Sequence, residues 1–219
     1  MPLDFERARF NMIEQQVRPW EVLDPRVLDV MGKVRREDFV PSRWRKLAFA
    51  DVEIPLGHGE TMNKPILQGR ILQALEVGPC DVVLEIGTGS GYLTACLAQL
   101  GREVVSVEQH ADFAERARAR IADAGLANVR IAVGDALAGW EPGRRFDAIA
   151  VNGAVETIPQ RFLDWLAPGG RLFIVRGTAP AMEAVLLTGD TATGFATDSL
   201  FETEIPYLNH AAPPQRFAL

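Results

Sequence analysis

The chain has 219 residues, of which 47% are hydrophobic and 24% charged, and its formal net charge is −6. These proportions fit one ordinary globular core and exclude a disordered or low-complexity chain, while the acidity argues against nucleic acid, which needs a broad basic face. No stretch is long and apolar enough to span a bilayer, and the charged opening MPLDFERARF lacks the apolar segment of a secretion signal; the expectation is a soluble cytoplasmic protein with no membrane partner.

In chain order, Phe5 to Gln16 carries Phe5, Ala8, Phe10, Met12 and Ile13 at imperfect helical spacing, which predicts a short amphipathic helix ended by Arg18-Pro19. Asp24-Pro25 is an N-cap followed by proline at the first helical position, and Val27, Leu28, Val30 and Met31 give the second helix its apolar side. The mixed-sign run Arg35-Arg36-Glu37-Asp38 reads as a solvated helix end. Arg43, Arg45 and Lys46 around Trp44 have the composition of a basic aromatic patch, but three charges within an acidic chain read more simply as ordinary surface. Gly57 and Gly59 bracket His58 in what reads as a flexible loop, and Lys64-Pro65 then opens a helix with Ile66, Leu67, Ile71, Leu72 and Leu75 at helical spacing. No partner that would orient His58 is legible, so it reads as a plain loop histidine. Cys80 and Cys96 have no metal-ligand spacing and read as buried free thiols, and no metal is expected.

The centre of the chain is VVLEIGTGSGYLTACLAQL, from Val82 to Leu100. Val82 to Ile86, broken only by Glu85, reads as a buried parallel strand, and a helix-forming pattern follows the glycines. Gly87, Gly89 and Gly91 let the backbone take positive φ and lie flat against a ligand, and the first amides of the helix face that ligand with partial positive charge. Glu85 stands at the carboxyl end of the strand, where open α/β sheets bind their ligands. A second strand, REVVSVEQ, ends at Glu108, about twenty positions past the glycine turn, where an acidic residue accepts from both hydroxyls of a ribose. Ala111 to Gly125 is an alanine-rich helix with Arg116, Arg118 and Arg120 on a solvated face.

Asn128 to Val133 is the third strand, followed by Gly134-Asp135-Ala136, where Asp135 has the alternative reading of an N-cap. Ala148 to Val151 is the fourth, ending at Asn152-Gly153; a helix spans Ile158 to Leu166, and RLFIVRG is a fifth strand ending at Gly177. MEAVLLTGD, FATDSLFETEIPYL and the terminal QRFAL read as antiparallel strands added at one edge, with Pro213-Pro214 bending the chain end. Right-handed crossovers then give an α/β, doubly wound, mostly parallel, seven-stranded Rossmann-like sheet with helices on both faces and an N-terminal helical extension. The expected organisation is a single domain. Residues 1–78 form the extension and covering loop, 79–178 the cofactor-binding core and 179–219 the antiparallel strands.

The Gly-x-Gly-x-Gly turn after an acidic residue is one position tighter than the pyrophosphate fingerprint, which disfavours a nicotinamide-dependent oxidoreductase. It resembles motif I of the S-adenosylmethionine-dependent methyltransferases. The order EQQVRP, DPRVL, REDFVP, IPLGHGET, a proline-initiated helix and LEIGTGSGY narrows this. From about Met12 through Gly177 the chain resembles the protein-L-isoaspartate O-methyltransferase family. The resemblance implies S-adenosyl-L-methionine as cofactor and S-adenosyl-L-homocysteine as its product. Glu85, Gly87, Thr88, Gly89, Ser90 and Gly91 would wrap the methionine part, Glu108 and Gln109 the ribose, and Gly134, Asp135 and Ala136 the adenine, which Asp135 would read.

It further implies direct methyl transfer to the isoaspartyl carboxylate of a damaged protein or peptide, a repair reaction by a monomer or homodimer without nucleic acid. A carboxylate of pKa near 4 needs no general base at neutral pH. The family's Thr-Ile-Ser-x-Pro signature reads here Thr61-Met62-Asn63-Lys64-Pro65, which makes Thr61 and Asn63 the catalytic positions, with asparagine in place of the active-site serine. A second departure is Gly153-Ala154-Val155-Glu156, where the family tends to have alanines and a proline. Asn63 and Glu156 leave two alternatives open: a methyltransferase of the same fold with another acceptor, and a cofactor-binding protein that transfers nothing.

Overall fold

The computed structural model describes residues 4–213. Asp4 accepts from the Arg7 amide and starts α1 (Phe5–Met12), which runs on through a π turn at Ile13–Val17 and a 3-10 turn at Arg18–Trp20. Asp24 caps α2 (Pro25–Lys33) by accepting from Arg26 N, and proline occupies a position whose amide has no helical partner. Met12, Val17, Val27 and Met31 from this extension are buried against Leu67, Ile71, Leu72 and Leu75 of α3 (Pro65–Leu75).

The flexible loop expected before α3 is an antiparallel hairpin, β1 (Ile54–Gly57) and β2 (Glu60–Met62), with Ile54 paired to Met62 and both side chains buried. Gly57, His58 and Gly59 all take positive φ at its tip, and glycine at two of the three positions makes so tight a reversal cheap.

The chain then lays down β3 (Val82–Ile86), α4 (Tyr92–Leu100), β4 (Glu103–Glu108), α5 (Ala111–Asp123) and β5 (Val129–Val133). After these come β6 (Phe146–Val155), α6 (Gln160–Asp164), β7 (Leu166–Thr178), β8 (Ala181–Asp190) and β9 (Gly194–Thr203). The sheet order is β5-β4-β3-β6-β7-β8-β9, parallel from β5 to β7 and antiparallel from β7 to β9. Every residue of β3 is buried, as in a parallel strand covered on both faces. From β3 the chain moves to β4 and β5 on one side and returns to β6 on the other, so the crevice of the switch point opens above the carboxyl ends of β3 and β6. This is the doubly wound, mostly parallel architecture the sequence predicts, with the edge meander in place. The predicted QRFAL strand and Pro214 lie outside the described residues.

Three expectations about charge and burial are corrected. Arg36 and Glu37 are not a solvated helix end: they are 0% and 1% exposed, in a 3-10 turn that folds back into the core. Arg9 donates to Glu37 at 2.5 Å, and Arg36 is held by the oxygens of Ala48, Asn63 and Gln68. Cys80 is exposed on the turn before β3; Cys96 is buried, and burial pushes its thiol up to about 12, which leaves it unreactive. Of the three arginines of α5, Arg116 pairs with Asp112 in solvent, whereas Arg118 donates to Ile131 O and half-buried Arg120 to Ser90 O.

Among the described residues no helix is long and apolar enough to cross a membrane. No group of three or more His, Cys, Asp or Glu among them could hold a metal ion.

Candidate cofactor and acceptor cleft

The glycine turn leaves β3 directly, with Gly87, Gly89 and Gly91 at φ of 88°, 52° and 85°. Glu108, at the end of β4, fixes it: Oε2 accepts from Gly89 N at 2.8 Å and Oε1 from His110 N at 3.0 Å. Glu108 therefore ties the glycine turn to the start of α5 and keeps a lone pair on each oxygen for a vicinal diol.

Glu85 stands at the carboxyl end of β3 as expected, but its side chain is not on the cleft wall. Its side chain is wholly buried beneath the turn: Oε2 accepts from Thr94 Oγ1 at 2.5 Å and Ser106 Oγ at 2.7 Å, and Oε1 from Asn152 Nδ2 at 2.9 Å. The same Asn152 nitrogen donates to Gly87 O at 2.8 Å, and Ser106 also contacts Thr88 Oγ1 at 2.5 Å. Glu85 is the strut of the turn rather than part of the cleft wall. Burial pushes its carboxyl up to about 7, although the three donors oppose the shift by favouring the anion.

Thr88, Ser90, Gln109, Gly134 and Ala136 line one cleft, together with Gly87, Gly89, Glu108 and Asp135. Gly91 lies behind the wall as the left-handed N-cap of α4. Asp135 borders the cleft, and its Oδ1 accepts from Leu137 N at 2.7 Å; it closes a turn rather than capping a helix, since no described helix lies between β5 and β6. On the opposite wall stand Thr61, Met62 and Asn63 from the hairpin and Gln68 from α3. Asn63 is buried, with Nδ2 donating to Asn152 O at 3.4 Å. Glu156 is exposed and lies away from this cleft, in a shallow depression with Arg176 and Glu183.

Three parts of the wall have no motif in the sequence. Gln68 reads there as an ordinary helix residue. Asn152 reads as a strand end, but β6 continues through a register shift between Ala150 and Ala154 that lifts Asn152 and Gly153 toward the crevice. Pro206–Asn209 is strapped across this bulge by Ala154 N to Pro206 O and Leu208 N to Ala154 O, each 2.9 Å. Gly153 is required there, because a Cβ would come within 2.7 Å of Leu208 Cδ2 and 3.0 Å of its backbone nitrogen. Gly153→Ala is accordingly expected to cost about 2 kcal/mol, read as a fall of about 4–8 °C in Tm by differential scanning calorimetry.

His58 does have an orienting partner, on a distant element. Its Nε2 lies 3.1 Å from Asp112 Oδ1 and its ring stacks on His110 at 4.3 Å, fastening the hairpin tip to α5. Neither ring is on the cleft wall.

The wall suits an S-adenosyl nucleoside. Glu108 offers two acceptors to a diol, the glycine turn admits close approach, and the charged residues of the described wall are Glu60, Glu108 and Asp135 without any lysine or arginine. Such a wall repels phosphates and tolerates a cationic ligand.

Comparisons with known proteins agree. The sequence model of the protein-L-isoaspartate(D-aspartate) O-methyltransferase family matches residues 8–193. A protein-L-isoaspartate O-methyltransferase of Methylorubrum populi is 42% identical over 84% of this chain and 86% of its own length. One from Gloeobacter violaceus is 37% identical over 93% of this chain and 100% of its own. A Plasmodium falciparum crystal structure described as a protein-L-isoaspartate O-methyltransferase in complex with S-adenosyl-L-homocysteine superposes with a TM-score of 0.80. It covers 94% of this chain and 98% of that one at 21% identity, a likeness of fold. Fold and cleft together define an α/β methyltransferase. The chain belongs to the protein-L-isoaspartate(D-aspartate) O-methyltransferase family.

Proposed function

We propose that the protein methylates the free carboxylate of isoaspartyl residues in damaged proteins and peptides, with S-adenosyl-L-methionine as methyl donor. The observation that carries this reading is the acidic, lysine- and arginine-free wall centred on Glu108, in a chain whose family match spans residues 8–193. When bound, S-adenosyl-L-methionine supplies an electrophilic methyl group and leaves as S-adenosyl-L-homocysteine. The chain's own part is alignment and exclusion of water.

Glu108 and Gln109 hold the ribose, Asp135 with Gly134 and Ala136 reads the adenine edge, and Gly87 to Ser90 cradle the amino-acid portion. Thr61 and Asn63 form the acceptor side, under the cover of Leu56, Met62 and Leu208. An isoaspartyl carboxylate is ionised at neutral pH, so no residue has to remove a proton from it. Residues 79–178 act as the cofactor-binding core of a single domain, with 1–78 and 179–219 covering it. The role is cytoplasmic repair by a monomer or homodimer, and the net charge of −6 supports a reaction without nucleic acid.

A second reading, the same fold with another acceptor, is favoured by one observation: the Asn63 amide that replaces the family serine is turned to Asn152 O. Both readings are tested by incubating wild type and Asn63→Ser with labelled S-adenosyl-L-methionine and a peptide in isoaspartyl and aspartyl forms. The expected result is a base-labile methyl ester on the isoaspartyl form alone for wild type, with Asn63→Ser within about tenfold of it, about one hydrogen bond's worth. Cofactor binding without ester formation would favour another acceptor. Activity appearing only in Asn63→Ser would mark the natural chain as a cofactor-binding protein.

A further inference from the structure

The guanidinium of Arg36 is fully buried beside the cleft, and nothing in the chemistry above uses it. Nε donates to Ala48 O at 2.7 Å, Nη2 to Asn63 O at 2.8 Å and Nη1 to the side-chain oxygen of Gln68, while Cζ sits 4.9 Å from the centre of the Tyr92 ring. Among the described residues no carboxylate forms an ion pair with it. Burial lowers its pKa to about 10, so it remains a cation at neutral pH.

A guanidinium has donors only, which fixes the Gln68 amide with its oxygen toward Arg36 and its nitrogen turned away. Gln68 is 4% exposed, and what it exposes is on the cleft wall, near Asn63. Its Nε2 makes no hydrogen bond to any described residue and is not sealed from solvent. The cleft therefore presents two amide hydrogens on a nearly buried side chain, backed by an unpaired buried cation. Donors of this kind gain most from a charged acceptor, and the cation behind them favours an anion over a neutral group.

We propose that Gln68 is the acceptor-binding residue of the site: held by Arg36, it donates from Nε2 to one oxygen of the acceptor carboxylate and leaves the other free to face the methyl group. Arg36 is the positioning residue, and it fixes Asn63 through the same fork. The assignment rests on the carboxyl-methylation reading above. It explains how a cleft whose wall carries three carboxylates still accepts an anion. Because the carboxylate loses its charge as the methyl bonds, the hydrogen bond stabilises the bound ground state at least as much as the transition state, so its loss raises KM without lowering kcat.

The test compares wild type with Gln68→Glu and Gln68→Met. Q68E keeps the length and the oxygen that Arg36 requires, gives the buried cation a partner, and replaces the donors by an acceptor; Q68M removes both polar functions. Expected for Q68E are a Tm at or above wild type, S-adenosyl-L-homocysteine affinity within about twofold, and a KM for an isoaspartyl peptide raised at least about tenfold with kcat little changed. Q68M is expected to raise KM less and to lose discrimination against the same peptide amidated at the acceptor carboxyl, measured by calorimetry on the protein loaded with S-adenosyl-L-homocysteine. Should Q68E fail to fold, Q68M decides on the same readouts. Unchanged KM and unchanged discrimination in the folded variants overturn the assignment alone, as does a parallel loss of affinity for peptide and S-adenosyl-L-homocysteine. A wild type that neither methylates nor binds the isoaspartyl peptide overturns the assignment and the carboxyl-methylation reading together.

Discussion

Glu108→Ala is expected to raise the Kd for S-adenosyl-L-homocysteine by at least a hundredfold in calorimetric titration. The carboxylate has two roles at once. It accepts from Gly89 N and His110 N, so its removal leaves the glycine turn and the start of α5 without their common anchor. It also offers the wall's acceptors for a ribose diol, and two hydrogen bonds to a charged group at about 1.5–3 kcal/mol each correspond to roughly two to four decades of affinity. Glu108→Gln is expected to fall between the two, because one amide hydrogen must then face a backbone N–H. Asp135→Ala is expected to lose about tenfold, the value of one contact to the base. An alanine variant at 108 that binds within tenfold of wild type would remove Glu108 from the site.

The second large effect is a pH dependence of stability that originates at Glu85. Its carboxyl is pushed up to about 7 in the fold by burial, against an unfolded value near 4.5. Below about 4.5 both states hold the proton and the group's contribution is fully present. Between about 4.5 and 7 the unfolded chain has released its proton while the folded one retains it, so stability falls as pH rises, by on the order of 3 kcal/mol across the window. Above 7 both states are ionised and the contribution is flat. Glu85→Gln has no such titration. The difference between the urea-unfolding free energies of wild type and variant is expected to fall steadily from pH 4.5 to 7 and to level off beyond it. Parallel curves would mean that the carboxyl under the glycine turn is ionised throughout. The variant's absolute stability is a separate matter, since its amide nitrogen would oppose the Asn152 donor.

What the sequence disclosed follows the range of the interactions involved. Strands β3 and β4 and the glycine turn are written in contiguous residues, as apolar runs that stop at glycine, and their bounds fall where the pattern ends. Glu108 was legible for the same reason: the end of a parallel strand fixes both its location and the crevice above it. For Glu85 the strand end gave the place but not the direction, because only the neighbouring Ser106, Thr94 and Asn152 reveal that the side chain turns down beneath the backbone.

The hairpin of β1 and β2 has strands of four and three residues, too short for any alternation to appear. Burial of Arg36 and Glu37 depends on partners 12 to 32 positions away, which no local pattern of charge contains. The continuation of β6 beyond Asn152 depends on the strap at Pro206–Asn209, whose backbone bonds to Ala154 join segments some fifty residues apart. The wall residues Thr61, Asn63, Thr88, Ser90, Glu108 and Asp135 were therefore readable from contiguous motifs. Gln68, Asn152 and the strap join the same wall only once the chain has folded.

The most direct test of the account is a crystal structure of the protein grown with S-adenosyl-L-homocysteine. Both ribose hydroxyls should lie within hydrogen-bond distance of Glu108, the adenine edge beside Asp135 and Leu137, and the sulfur should face the gap bounded by Asn63 and Gln68. A nucleoside seated elsewhere in the fold, or one bound here with its sulfur turned away from that gap, would contradict it.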